Sequence, residues 1–414
     1  MAQTALHEGV NTRAQPEGAN ISLPSSFEIH GVTSKLLAKE PSTTPAPPLR
    51  VLDNFKGTFV GNGFNTIFRP QSKATPTIVT NNPTIGNPDN VLELNLTAET
   101  LAFADALGSV PNRGLADQGD IFLSGVPYVQ TISDITNPAD GKADGVATGI
   151  HFEPGLWMRV PASTKNPVQV ETLNRMASIP HGTTINAQGV APTTTTPGKP
   201  NIPAVKITPF VIGNPSQLII FPSQTATNTN TLRLPQDLTK FINAGTITQA
   251  ILDDPNTVLR NANNGKTINK TSTIHIQTNP SGSQLGGGTA NIDFLVGPKI
   301  TPAAPNAHAV QMEATFWIAE VSHKITVPVH ALGQGPLEIA APSPVAGAPA
   351  GFQAPSFIVD PSVAITAPKA ITVTSTQIQY SQTVILNFAG LSWPHVSVAT
   401  LIPKDPIKVS STVV

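Results

Sequence analysis

The sequence predicts an antiparallel all-β fold closed into a barrel, and three observations predict it. Segments of strand length and strand period recur along most of the 414 residues. Helical periodicity is confined to one region, and strands do not alternate with helices as in an α/β protein. Composition agrees: Thr, Val, Ile and Pro are abundant, which favours strands joined by irregular loops.

Taken in order, residues 1–50 are rich in Pro, Ser and Thr and read as an arm; residues 51–414 read as one enlarged barrel domain. The first strand spans 54–70. Its glycines at 57, 61 and 63 allow a sharp bend or the close approach of another backbone. Residues 91–103 alternate, with Leu92, Leu94 and Leu96 on one face and Val91, Glu93 and Asn95 on the other. Strands are expected next at 120–132, 150–159 and 169–176, the last running into a passage at 177–186. Further strands are expected at 204–212, 217–221, 271–278, 291–296, 309–321, 324–329, 370–388 and 395–402. The helical region is 234–261. Pro235 near its start and Gly245 in its middle divide it into two short helices, and 256–264 reads as loop. These helices are expected to cap the barrel mouth. Residues 333–368 form a long Pro/Ala-rich connection.

Charged residues are only 12% and the net charge is −1; no basic patch speaks for a nucleic-acid partner. Cysteine is absent, which excludes disulfides, thiolate ligands and a cysteine nucleophile. The first residues have no basic stretch followed by an apolar run, and no segment has the apolar length of a membrane span. A cytoplasmic location without a membrane partner is the expectation. Gly286-Gly287-Gly288 reads as a hairpin turn rather than a phosphate cradle, no Gly-x-Ser-x-Gly elbow occurs, and Asp253-Asp254 lacks the rest of a calcium loop.

The chemistry centres on Ile150-His151-Phe152-Glu153-Pro154-Gly155-Leu156-Trp157-Met158-Arg159. Period two puts His151 and Glu153 on one face, with Ile150 and Phe152 on the other. An imidazole beside a carboxylate is costly to bury unless the two pair or bind something. A His-x-Glu strand is also the pattern of a plain hydrogen-bonded pair.

Several motifs, in order, resemble the nitrobindin family of small calycin-type barrels, related in shape to fatty-acid-binding proteins. Gly57-Thr58-Phe59-Val60-Gly61-Asn62-Gly63 is similar to that family's opening strand, Gly125-Val126-Pro127-Tyr128 to a later one, and Ile150 to Gly155 with Arg159-Val160-Pro161 to its L-H-x-E-x-G strand and the R-x-P beyond it. Pro394-His395-Val396-Ser397-Val398-Ala399-Thr400-Leu401 resembles the final strand. The likeness covers the strands up to residue 190 and the last strand. It implies a calycin-like barrel with His395 as the proximal ligand of a haem b. Pro180-His181-Gly182 departs from the family's P-T-G and adds an imidazole.

On such a barrel His151, Glu153, His181 and His395 are expected to converge in the lumen as a metal site. Imidazole and carboxylate suit Mn or Fe. Three His and one Glu also resemble the ligand set of cupin dioxygenases, which have a different fold. The leading expectation is therefore a metal-dependent oxidoreductase of the non-haem dioxygenase type, acting with dioxygen on a small hydrophobic, aromatic or alkene-like substrate. The alternatives are a haem protein with His395 as axial ligand, in peroxidase-like or nitric oxide and peroxynitrite chemistry, and a carrier of a hydrophobic ligand. Phe59, Phe64, Phe68, Trp157, Phe316 and Trp317 are candidates to line an apolar pocket. His275 and His323 read as structural or surface residues, and His7, His30, His308 and His330 as arm or loop residues.

Overall fold

The computed structural model describes residues 46–72, 74–79, 89–166, 168–180, 182–279, 286–292, 295, 306–343 and 354–410. Ten strands form the body: β1 (Gly57–Pro70), β2 (Asn90–Phe103), β3 (Ile121–Asp134), β4 (Thr148–Val160), β5 (Thr172–Ser178), β6 (Thr183–Val190), β7 (Thr267–Gln277), β8 (His308–Val327), β9 (Lys369–Phe388) and β10 (Leu391–Pro403). Each pairs antiparallel with the next, and β1 pairs with β10, so the sheet closes on itself. The ladder is thinnest at β6–β7, where Gln188 faces Gln277. There the short strand Gly288–Asn291 runs along β6, and Asn291 exchanges hydrogen bonds with the Ala309 backbone of β8.

Closure explains two glycines of the first motif. A Cβ on Gly61 would lie 2.0 Å from the Thr400 carbonyl oxygen, and one on Gly63 would lie 2.2 Å from that of Val398. Only glycine lets β10 approach β1 this closely.

Among the described residues three large apolar cores result, beside a small cluster of Ile268, Ala319 and Val321. The first fills one end of the lumen with Phe59, Leu101, Phe103, Trp157, Phe316 and Ile378. Leu52, from the 3-10 turn Arg50–Asn54, and Phe55 plug that end, both essentially without exposure. The second lies outside the wall, where Phe64, Phe68, Leu92, Leu94, Leu96, Val396 and Val398 meet the segment around residues 202–259. β1, β2 and β10 are thus buried on both faces in part of their length. Of the aromatic candidates, Phe59, Trp157 and Phe316 belong to the inner core and Phe64, Phe68 and Trp317 to the outer one. The third core holds a small sheet of Leu337–Ala340, Ser356–Val359 and Ile407–Lys408 against Ile325, Val327, Ile371 and Val373 at the ends of β8 and β9.

The helical insertion is three short helices, α1 (Thr239–Ala244), α2 (Gln249–Asp253) and α3 (Thr257–Ala262). Gly245 ends α1 with φ 72°, and the Thr248 hydroxyl caps α2. The expected loop at 256–264 contains α3, because Leu259 is drawn fully into the outer core. The insertion packs on the outer wall rather than standing as a lid alone: Phe241, Ile251, Leu252 and Leu259 pack with the outward leucines of β2, and Lys240 and Thr246 reach the β3–β4 loop at the mouth end.

Other expectations shift locally. The strands expected at 309–321 and 324–329 merge into one, β8, which ends at Val327, because β9 pairs with it almost without interruption. The passage at 177–186 contains a turn and the start of β6. Residues 204–209 are not a strand: Ile207 anchors them to the outer core as irregular cover between prolines 203 and 209, and the strands there are Phe210–Val211 and Asn214–Leu218. Of 291–296, Asn291 ends a strand, while 293, 294 and 296 lie outside the described residues. The long connection contributes two strands to the small sheet, and residues 344–353 within it lie outside the described residues. Most of the expected arm, residues 1–45 with His7 and His30, is likewise outside them. Among the described residues no helix is long and apolar enough to cross a membrane.

Candidate functional site

Register fixes which side chains face the lumen. Around the ring Glu99 pairs with Ile132, Ile132 with His151, and Gln130 with Glu153. On the far wall Gln382 pairs with Ser397 and Val384 with His395. All of these share the inward phase of the core residues Tyr128, Trp157 and Tyr380.

At mid-height these residues make a layer of hydrogen-bonded polar groups. Glu153 is fully buried. Its Oε1 accepts from the Arg175 Nη2 at 2.5 Å and from the Tyr128 hydroxyl. Its Oε2 lies 3.1 Å from the His151 Nε2. Arg175, also fully buried, donates through Nε to the Tyr128 oxygen at 2.7 Å and through Nη1 to the Gln382 Oε1 at 2.6 Å. The latter bond crosses the lumen from β5 to β9. The layer continues through Gln130, whose Nε2 donates to Tyr380 at 3.1 Å and to the Glu99 Oε2 at 3.3 Å. Tyr380 donates to the same Glu99 oxygen at 2.6 Å, and Thr97 to the other at 3.0 Å.

Two buried carboxyls meet opposite fates here. Burial pushes the Glu153 carboxyl up, but the Arg175 guanidinium, the His151 ring and the Tyr128 hydroxyl outweigh it and hold the group down at about 2. Burial dominates at Glu99; hydrogen bonds from Tyr380, Thr97 and Gln130 only partly offset it, and its carboxyl is pushed up to about 7. The difference is the neighbouring cation.

One inward position beyond this layer lie His151, two residues before Glu153, and His395, two before Ser397. Antiparallel pairing sends both steps towards the same mouth, the end opposite the Leu52–Phe55 plug. His151 is partly buried, its side chain 15% exposed, and His395 is half-buried. The His395 Nε2 lies 2.8 Å from the Asn65 amide nitrogen, which also donates to the Ser397 hydroxyl at 2.7 Å. The β5–β6 turn reaches this mouth too; His181 within it lies outside the described residues.

The structure therefore brings His151 and Glu153 into contact and sets His395 at the same mouth. Among the described residues no group of three or more His, Cys, Asp or Glu is drawn together tightly enough to define a metal centre by itself. Two surface cavities, of about 540 and 490 Å3, lie outside the lumen site and include none of these residues. The other described histidines lie elsewhere. His275 stands on the outer wall beside Thr315, and His323 beside Ser375. His308 and His330 are buried rather than in open loops, His308 as the first residue of β8 and His330 in a bridge to Ile365.

Sequence reasoning missed Arg175, Tyr128, Glu99, Gln130, Tyr380 and Gln382. A signal existed for Arg175, which sits in the inward phase set by Leu173 and Ala177, so a charge there needs a partner. Comparison with protein-family models, with curated proteins and with solved structures finds no match.

Proposed function

We propose that the lumen holds a first-row metal, Mn or Fe, and that the protein is a metal-dependent oxidoreductase of the dioxygenase type. His151, Glu153 and His395 are its described ligands, and His181 the fourth. One observation carries the reading: Glu153 is buried and ionised, with one oxygen held by Arg175 and Tyr128 and the other turned to the His151 Nε2 at 3.1 Å. This arrangement suits a carboxylate ligand: neighbours orient one oxygen, and the other lies against an imidazole nitrogen that would turn from it to the metal. The donor set, imidazoles with one carboxylate, suits Mn or Fe. The ten-strand ring is compatible with the calycin-like barrel that the motifs resemble, which favours the nitrobindin-like relationship without requiring its haem.

A metal at this mouth would supply an open position for dioxygen and redox chemistry on a small aromatic or alkene-like substrate. The protein's own groups do the rest. Arg175 keeps Glu153 anionic, so binding a cation there needs no proton release from the carboxyl. Asn65, which also donates to the Ser397 hydroxyl, orients the His395 ring from its Nε2 side. The aromatic plug beyond the polar layer keeps water out of the closed end.

The test compares metal content and oxygen uptake in the whole protein and two variants. After growth with Mn and Fe supplied, wild type is expected to carry near-stoichiometric metal and to consume oxygen with small phenolic alkenes. Glu153→Gln and His395→Ala are each expected to lose most of the metal while retaining the wild-type circular dichroism spectrum. Wild-type metal content in both variants would sink the assignment.

A further inference from the structure

The outer wall of the ring differs from arc to arc. The segment around residues 202–259 covers parts of β1, β2 and β10, and the small sheet covers the ends of β8 and β9. Between β7 and β8 the wall is open and polar: His275 and Glu313 stand on it 3.6 Å apart, each about half exposed. That is the ordinary solvated face of an antiparallel sheet.

The arc from β3 to β6 breaks the pattern. Its charged residues Glu153, Arg159 and Arg175 take the inward phase of Tyr128 and Trp157. On the outside, register sets Val129 beside Pro154, and Leu156 between Pro127 and Met176. Phe152 is 40% exposed and Val129 38%, while Leu156 and Met176 are half-buried. Over 123–131, 152–160, 172–178 and 184–190 no outward position holds a charged residue or a histidine. Strands β3, β4 and β5 are each paired on both sides, so a partner cannot add a strand to them and must meet the face itself.

We propose that this face packs against a second copy of itself, sheet on sheet, in a two-fold dimer. An uncharged face meets its own copy without like-charge repulsion, and a strongly charged partner finds no counter-charge on it. The same composition speaks against a lipid surface, since no lysine or arginine stands on the face to meet anionic headgroups. Strand spacing of ~4.8 Å and a two-residue repeat of ~6.8 Å make the face roughly 19 by 27 Å, or ~500 Å2. Two copies together cover ~1,000 Å2, the lower bound for a specific interface, so the dimer is expected to be reversible.

Sedimentation equilibrium of the full chain over ~1–100 µM tests this. A monomer–dimer equilibrium is expected. Val129→Asp and Phe152→Asp, whose side chains point away from the lumen, are each expected to weaken the dimer by ~10-fold or more, because the substitution buries a charge in both copies. Thr273→Asp, on the polar arc, is expected to leave it unchanged. The chain has no cysteine, so the thiol of Phe152→Cys can be followed alone, and this decides the matter should the aspartate variants not fold. Its alkylation is expected to slow as protein concentration rises, and that of Thr273→Cys to stay constant. Wild-type affinity in both aspartate variants overturns the proposal, as does a chain that stays monomeric. A monomer with the residue 152 thiol protected at every concentration would assign the face to another part of the same chain, and one with an open thiol to a partner of another kind. None of these outcomes bears on the lumen metal.

Discussion

Glu153 and Glu99 lie in one lumen, linked through Arg175 and Gln130, and their carboxyls are pushed in opposite directions. Arg175 stabilises the first as an anion, and removing that partner leaves a buried charge uncompensated. Arg175→Met is expected to lower stability by ~3–5 kcal/mol in urea unfolding, and the double change with Glu153→Gln to recover part of it. Glu99 behaves in the opposite sense. Its folded value, about 7, lies above the unfolded 4.5, so the folded state binds the extra proton between those values. Stability should then fall as pH rises from 4.5 to 7, by on the order of 2–3 kcal/mol. The depressed Glu153 gives the reverse slope at lower pH, between about 2 and 4.5, where stability is lost on acidification. Urea midpoints at pH 5 and 7.5 should differ in wild type and converge in Glu99→Gln; equal slopes in the two proteins would contradict this account. The shared face of His151 and Glu153 was legible because strand period is local. Their anchor was not: Arg175 to Gln382 joins residues 207 apart in sequence, and no spacing rule reaches across a lumen.

At the scale of the element, the β1–β10 seam carries the closure. Thr400 and Val398 carbonyls press on Gly61 and Gly63, and a side chain at either position needs backbone movement. Gly63→Val is expected to destabilise by ~1–3 kcal/mol or more, as overpacking does, and to do so more than Gly149→Val, where a Cβ meets open space. Thermal unfolding of the two variants checks the order. Glycine placement in the first motif made the close approach readable in advance. The helices were harder. Their number depended on Leu259 finding the outer core, and their position on Leu92, Leu94 and Leu96 facing outward under cover. Alternation shows that one face of β2 is apolar, but not whether that face looks into the barrel or away from it.

For the whole molecule, the closed ten-strand ring sets what the polar layer can do. One end is sealed by Leu52, Phe55 and the aromatic core, and the proposed chemistry falls at the other mouth, where the strand directions gather His151, His395 and the β5–β6 turn. An absorption spectrum of the purified protein, taken beside elemental analysis of the same sample, separates a lumen metal from haem and from an empty barrel. Near-stoichiometric Mn or Fe with no Soret band is the expected result. A strong Soret band with matching iron would contradict it in favour of haem on His395, and a protein with neither metal nor haem, after growth with both supplied, would contradict it in favour of a carrier.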